Sequence, residues 1–203
     1  PGMEVSGTIH ELGPDVEGFE VGDRVVGSGT NGGYAEYTVS NCKGVFKIPK
    51  DISFEMAASF PAVYLTSYLM IIHPGDLQPG ESILIHGAAG GVGLASIELA
   101  KIAGAKIIFG TCSPSKHEFI QERGVLPVDK DNFLAEIMQW TDDKGVDLVL
   151  DPIGGEHLMQ SYRCLGSGGR VCSFGISDMA PGKKRSHWHR IKSWLSFPKF
   201  DPL

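Results

Sequence analysis

Ile83-Leu84-Ile85-His86-Gly87-Ala88-Ala89-Gly90-Gly91-Val92-Gly93 is the stretch on which the fold turns. An apolar run enters a glycine-rich turn, and Leu94–Ala103 continues as a helix-like run. Read as Ala88-x-Gly90-x-x-Gly93, with Ala in the first slot, the turn fits the dinucleotide fingerprint. It also stands in the strand–turn–helix context that gives so short a pattern its meaning. Gly90 lets a pyrophosphate approach the backbone, and Gly93 lets the helix pack close to the strand. The helix N-terminus offers unpaired N–H groups and a positive dipole end to phosphates. Ala89, Gly90, Gly91, Val92 and Gly93 are therefore the candidate cofactor-binding residues of this turn. The alternative is a tight structural turn that binds nothing.

Downstream of this turn, strand and helix alternate. Strand-like runs are Ile83–Ile85, Lys106–Gly110, Leu126–Val128, Asp147–Leu150 and Arg170–Phe174; helix-like runs are Val92–Ala103, Ser115–Glu122, Phe133–Gln139 and His157–Leu165. Five short apolar strands alternating with helices predict an α/β fold, a Rossmann-type doubly wound parallel sheet covered on both faces. Upstream, residues 1–50 read as a piece of an all-β unit, with strands expected at Val5–Ile9, Asp23–Val26 and Tyr34–Val39 between turns dense in Gly and Pro. Ser53 is placed to cap a helix, and Ala57–Ile72 reads as the start of a buried one.

The second strand bears on cofactor choice. An NAD site places Asp or Glu near its end to bond the ribose 2′-OH. Here the strand ends Phe109-Gly-Thr-Cys-Ser113, without an acid, and Ser115 and Lys116 follow. Hydroxyls and an ammonium suit a 2′-phosphate that a carboxylate would repel. The expected cofactor is NADPH, with Ser113 and Lys116 on its 2′-phosphate; a helix cap at Ser113–Ser115 is compatible with that role.

Composition closes off other classes. With 42% hydrophobic and 21% charged residues among 203, the chain has the makings of a real core. A net charge of −6 argues against sequence-independent nucleic-acid binding, and the basic cluster Lys183-Lys184-Arg185 with Arg190 and Lys192 reads as a solvated face. No apolar run reaches the roughly 18 residues of a membrane helix, so no integral membrane protein is expected. Cys42, Cys112, Cys164 and Cys172 have no C-x-x-C spacing, which speaks for reduced thiols and a cytoplasmic location.

These residues resemble the medium-chain dehydrogenase/reductase superfamily in its zinc-free quinone oxidoreductase branch. Gly2-Met-Glu-Val-Ser-Gly7, Val21-Gly-Asp-Arg-Val25 and Gly33-Tyr-Ala-Glu-Tyr37 are similar to its barrel signatures. Ala57-Ala-Ser-Phe-Pro61 and Leu65-Thr-Ser-Tyr68 are similar to the helix leading to the cofactor, and His86–Gly93 to the branch's glycine loop. Within the branch, Gly110-Thr-Cys-Ser-Pro-Ser-Lys-His117, Asp151-Pro-Ile-Gly-Gly155 and Lys183-Lys-Arg185 look most like the vesicle amine transport protein homologues and their bacterial relatives.

The resemblance implies a partial GroES-like barrel domain over 1–52 and a Rossmann NADP(H)-binding domain over 53–203. Both ends of the chain read as cut, with the last Rossmann strand missing. It implies hydride transfer from NADPH to a quinone or an activated alkene or carbonyl, in a longer parent that is a homodimer. By matching position Thr66 lies near the nicotinamide, with Tyr64 and Tyr68 as neighbouring candidates for orienting substrate or donating a proton; a core role for both tyrosines is the alternative. Phe174, Gly175 and Ile176 close over the nicotinamide ribose, and Lys130 stands where the family often stacks a Tyr on the adenine. Zinc relatives place a ligand His where this chain has Met3, so no metal is expected. Two other readings stay open: a non-catalytic, cofactor-binding protein serving a vesicle or membrane partner, and an excised enoyl-reductase module of a synthase. His86 is read as structural, bonded to backbone. His187 and His189 beside Trp188 are read as surface residues.

Overall fold

The computed structural model describes residues 1–28, 31–175 and 177. Ile176 and the basic and histidine residues expected between 183 and 192 lie outside the described residues. Contacts divide the chain into two units, Pro1–Thr66 and Ser67–Leu203.

In the first unit β1 (Glu4–Thr8) pairs antiparallel with β2 (Arg24–Ser28), which pairs with β3 (Val45–Lys47). The third strand is therefore not Tyr34–Val39. A strand exists by its ladder. Among the described residues that segment joins backbone only at its start, where the Gly33 and Tyr34 N–H groups donate to the carbonyls of Gly2 and Pro1. Tyr34, Tyr37 and Val39 stay exposed. Arg24 ties β2 to the segment beyond β3: its guanidinium donates to the Lys50 and Ile52 carbonyls and lies 4.5 Å from the Phe54 ring centre. Ser53 caps α1 (Phe54–Ala58) by accepting the Met56 N–H at 3.2 Å. The helix expected from Ala57 is broken at Ser59–Phe60, and α2 (Pro61–Ile72) restarts with proline at its first position. Apolar nearly all round, α2 buries only Ser67 and Ile71 fully and leaves Leu65, Tyr68 and Leu69 exposed.

The second unit is a five-stranded parallel sheet: β4 (Ser82–His86), β5 (Ile107–Cys112), β6 (Leu126–Asp129), β7 (Val146–Asp151) and β8 (Leu165–Ser173), in the order β6-β5-β4-β7-β8. The helices between them are α3 (Gly91–Ile102), α4 (His117–Gln121), α5 (Phe133–Trp140) and α6 (Gly155–Arg163). This is the 3-2-1-4-5 order of a dinucleotide-binding sheet, with its switch point beside β4. Strand side chains alternate between two cores. Ile83, Ile85, Ile108, Leu148 and Leu150 pack with Ile71, Ile97 and Ile120, whereas Leu84, Phe109 and Val149 pack with Phe133 and Ile137. The period of two, with both faces covered, explains why the strands read as unbroken apolar runs. Cys112, Cys164 and Cys172 are buried in these cores, Cys42 is exposed, and all four thiols are free.

Two of the boundaries that differ from the sequence reading have a clear backbone cause. Helix α6 begins at Gly155 rather than His157, because Gly154 and Gly155 adopt φ of +76° and +58° and turn the chain straight out of β7. Strand β8 begins at Leu165. Val146 pairs with Leu165 and Leu148 with Arg170, so Gly166-Ser-Gly-Gly169 bulges out between two paired segments.

Arg170 then locks the N-terminal edge of the sheet. Its Nε donates to the Gly75 carbonyl at 2.8 Å, one terminal nitrogen donates to Asp76 O, and the other to Asp147 O. The fork closes on Glu81 at 2.9 and 2.7 Å, and the guanidinium holds the Glu81 carboxyl below its ordinary pKa. We expect Arg170→Ala to cost about 2–4 kcal/mol, through several lost hydrogen bonds and a half-buried carboxylate left without its partner. Arg170→Lys should recover less than half of that, since an ammonium has no fork. Urea unfolding of the three proteins measures both effects, and equal midpoints would contradict the clamp.

Candidate functional site

The glycine turn joins β4 to α3 at the C-terminal edge of the sheet. Ala88 donates its N–H to the Thr111 carbonyl at 2.9 Å, stitching the turn to β5. A Cβ placed on Gly93 would lie 2.4 Å from the Gly87 carbonyl oxygen and 2.7 Å from Ala88 Cα, so only glycine allows this approach of helix to strand. Gly90 is the helix cap; its φ is −93°, and no side chain caps the helix. Gly90 and Gly91 are exposed, Val92 and Ala89 are half-buried, and the opening N–H groups of a 12-residue helix face this turn. On its flank, Ser67 Oγ donates to the Val92 carbonyl and accepts from Ser96 Oγ, both at 3.0 Å, docking the end of α2 on α3.

The neighbouring strand ends carry other expected residues. Ser113 follows β5 and precedes a 3-10 turn, Pro114–Lys116; it occupies the cap position without a side-chain cap bond, and both Ser113 and Lys116 are exposed. Residues 109–116 include no acid, and Lys116 is near enough to Cys112 to oppose the rise that burial imposes on its thiol pKa. Phe174 follows β8 and donates its N–H to the Asp151 carbonyl at 3.0 Å; Gly175 lies so close to Pro152 that a Cβ would come within 2.3 Å of its carbonyl oxygen. Lys130, after β6, is exposed and pairs with Asp131 at 3.3 Å. Thus Ala89–Gly93, Ser113, Lys116, Lys130, Phe174 and Gly175 all lie at C-terminal strand ends of one sheet. The α2 candidates are divided. Tyr64 and Thr66 belong to the first unit, Tyr64 stacked on Phe60 with ring centres 4.2 Å apart, whereas Tyr68 belongs to the second and meets the edge of His73.

Sequence reasoning missed a buried polar cluster beneath the turn. His86 bonds side chains, not backbone: its Nδ1 lies 3.1 Å from Thr111 Oγ1 and its Nε2 3.1 Å from Ser161 Oγ. Ser161 donates to Asp151 Oδ2 at 2.6 Å, and His157 Nδ1 is 3.0 Å from the same oxygen. Asp151 Oδ1 accepts the N–H groups of Ile153 and Gly154 at 2.7 and 2.9 Å. Burial pushes the Asp151 pKa up, but hydrogen bonds from His157, Ser161, Gly154 and Ile153 outweigh it and hold the carboxyl well below the ordinary range. His86, 2% exposed, is pushed down to about 3, first by burial and then by His157, against the pull of Asp151. The signal in the sequence was an acid closing an apolar strand, which requires partners.

Two family models match the chain: "Zinc-binding dehydrogenase" over residues 91–192 and "Alcohol dehydrogenase GroES-like domain" over residues 1–50. The synaptic vesicle membrane protein VAT-1 homolog of Danio rerio is 39% identical over 96% of this chain and 40% of its own length; the Homo sapiens homolog is 36% identical, over 96% and 50%. A highly reducing polyketide synthase, phiA, of a fungal species (strain ATCC 74256) is 38% identical over 97% of this chain but 8% of its own length. The chain spans about half the length of the VAT-1 homologs. Among solved structures, CurK enoyl reductase superposes with a TM-score of 0.81 at 37% identity, covering 94% of this chain and 57% of that one. The quinone oxidoreductase of Pseudomonas syringae pv. Tomato DC3000 gives 0.80 at 31% (95% and 60%), and mycobacterial Rv1454c, solved with NADPH, gives 0.80 at 28% (95% and 61%).

The depressed His86 pKa makes stability depend on pH. Above the unfolded-state value of about 6.5 both states keep this imidazole neutral and nothing is lost. As pH falls below that, the unfolded chain takes up a proton that folded His86 refuses, and stability declines by up to about 1.4 kcal/mol per pH unit until the folded pKa is reached. We expect this residue to remove about 2–3 kcal/mol between pH 6.5 and 4.5. His86→Gln should have a shallower decline over the same window in urea unfolding; identical slopes would show that His86 is not held neutral.

Proposed function

We propose that this chain, which belongs to the medium-chain dehydrogenase/reductase superfamily and stands close to its VAT-1 homologues, provides the cofactor-binding part of a zinc-independent, NADPH-dependent reductase of a quinone or an activated alkene or carbonyl. The observation that carries the reading is the pairing of an open glycine turn with a second strand end that presents Ser113 and Lys116 and no carboxylate. These residues fit the cofactor. The N–H groups at Gly91, Val92 and Gly93 would receive the diphosphate, with Ala89 and Gly90 lining the approach. Ser113 and Lys116 would hold the 2′-phosphate by charge-assisted hydrogen bonds, Lys130 would flank the adenine, and Phe174, Gly175 and Ile176 the nicotinamide ribose.

When bound, NADPH supplies the hydride. The chain's own contribution is to bind, orient and exclude water, which requires no nucleophilic triad. We assign Thr66, Tyr64 and Tyr68 to orienting the substrate and delivering the proton that balances the hydride. We assign residues 1–52 to the GroES-like domain and 53–203 to the Rossmann domain, of a cytoplasmic homodimer; among the described residues no helix is long and apolar enough to cross a membrane.

Zinc does not fit the donor set. The position that matches a zinc ligand is Met3, whose thioether is a poor zinc ligand. Among the described residues the one group of three ligand atoms within 4.8 Å of one another is His86, Asp151 and His157, and the Ser161 hydroxyl is bonded to His86 and Asp151 in its midst.

A second reading, an enoyl-reductase module of a synthase, is favoured by the likeness to CurK and phiA. Both readings reduce an activated double bond, so the acceptor separates them. The complete gene product should oxidise NADPH with small quinones and enones faster than with enoyl thioesters; the reverse order would select the module. Lys116→Ala should weaken NADPH binding by roughly 1.5–3 kcal/mol, about one charge-assisted hydrogen bond, and leave NADH binding nearly unchanged. Equal losses for both cofactors in a titration would remove the 2′-phosphate assignment.

A further inference from the structure

The buried cluster beneath the glycine turn has one consistent arrangement of protons. Asp151 takes two backbone N–H groups on Oδ1 and faces the Ser161 hydroxyl and His157 Nδ1 with Oδ2, the surroundings of a carboxylate that only accepts. The Ser161 hydroxyl, 2.6 Å from its Oδ2, must therefore donate to it. With its single proton so placed, Ser161 Oγ accepts from His86 Nε2 at 3.1 Å, which puts the imidazole proton on Nε2. His86 Nδ1 is then an acceptor, and Thr111 Oγ1 donates to it. Thr111 Oγ1 accepts in turn from the Gly87 N–H at 3.3 Å. The Gly87 end is compatible with this order: its backbone N–H can only donate, and Thr111 Oγ1 accepts it while keeping its own proton for His86 Nδ1. The chain runs one way, from the first residue of the glycine turn to the carboxylate at the end of β7.

We propose that Asp151 is a positioning residue: acting through Ser161, His86 and Thr111, it fixes the direction of this hydrogen-bond chain and thereby holds the Gly87 end of the turn. Its effect on cofactor binding rests on the assignment of the turn to the NADPH diphosphate; the proton order does not. A merely space-filling Asp151 would be replaced by Asn without consequence for His86. A direction-setting one would not. In Asp151→Asn the amide oxygen stays with the N–H groups of Ile153 and Gly154, which need an acceptor, and the amide nitrogen turns to Ser161 and His157. Ser161 then accepts, its proton goes to His86 Nε2, and the imidazole proton moves to Nδ1.

Nitrogen-15 NMR of the full chain reads this directly, with the His86 signals identified by their loss in His86→Gln. The wild type should show the Nε2–H tautomer and Asp151→Asn the Nδ1–H tautomer, with NADPH affinity about tenfold weaker, the scale of one disturbed hydrogen bond. An Nδ1–H tautomer in the wild type, or the same tautomer in both proteins, would overturn the proposal. Should Asp151→Asn not fold, Thr111 supplies the test: Thr111→Val cuts the link to Gly87 and should lose affinity about tenfold, whereas Thr111→Ser keeps the hydroxyl and should bind like the wild type. Equal affinity in the Val variant would overturn it as well. A wild type that binds no NADPH would instead refute the cofactor assignment, and the tautomer result would then decide the proton order by itself.

Discussion

The contact between Gly93 and the Gly87 carbonyl sets the geometry of the sheet's C-terminal edge. Helix α3 sits so close to the end of β4 that a single methyl group at Gly93 would collide with backbone. That distance leaves the turn with no slack, and it aims the uncapped end of α3 at the edge where the strands stop. Neighbouring contacts tighten the same region. Gly110 on β5 is equally closed, since a Cβ there would lie 2.7 Å from the Ala88 methyl, and the Ser96–Ser67–Val92 bonds fix α3 from the side of α2. A substitution that pushes α3 outward would shift the turn, the Ala88–Thr111 bond and α2 together.

The parts of this fold that were legible in the sequence are those in which local pattern and tertiary role agree. Ile83–Ile85 and Asp147–Leu150 read as buried strands because both of their faces meet a core, and Gly93 read as a packing glycine because the fingerprint assigns it that place. Where pattern and role separate, the reading slips. Tyr34–Val39 has β-forming residues, yet among the described residues it has no ladder beyond Tyr34. Leu165 looked like the end of a helix because its strand is interrupted by Gly166–Gly169, a bulge that becomes visible only when β7 supplies the register.

The polar cluster was illegible for a different reason. His86, Thr111, Asp151 and Ser161 each sit at a strand end or on a helix that the alternation of elements correctly anticipates. Their partners, however, are distant in the chain: His86 reaches Ser161 across 75 residues. Periodicity marks these positions as buried without saying which buried polar groups face one another. What it does establish is a demand, since a polar side chain in such a place must be satisfied by something. Ser113 and Lys116 show the opposite case. They are exposed, local and adjacent in sequence, so the absence of an acid at that strand end could be read from the letters alone.

The three buried cysteines acquire a meaning from the chemistry proposed for the chain. Quinones and enones are electrophiles that add to thiolates, so a protein handling them risks alkylation of its own sulfur. Burial pushes the Cys164 thiol up to about 12 and raises those of Cys112 and Cys172. Nucleophilicity follows the thiolate and its access, and the interior denies both to these three. Only Cys42, outside the sheet and exposed, offers its sulfur to such a reagent. With the substrate class proposed above, the close packing that builds the two cores would also act as chemical shielding, directing covalent damage to a residue on which the Rossmann sheet does not rely.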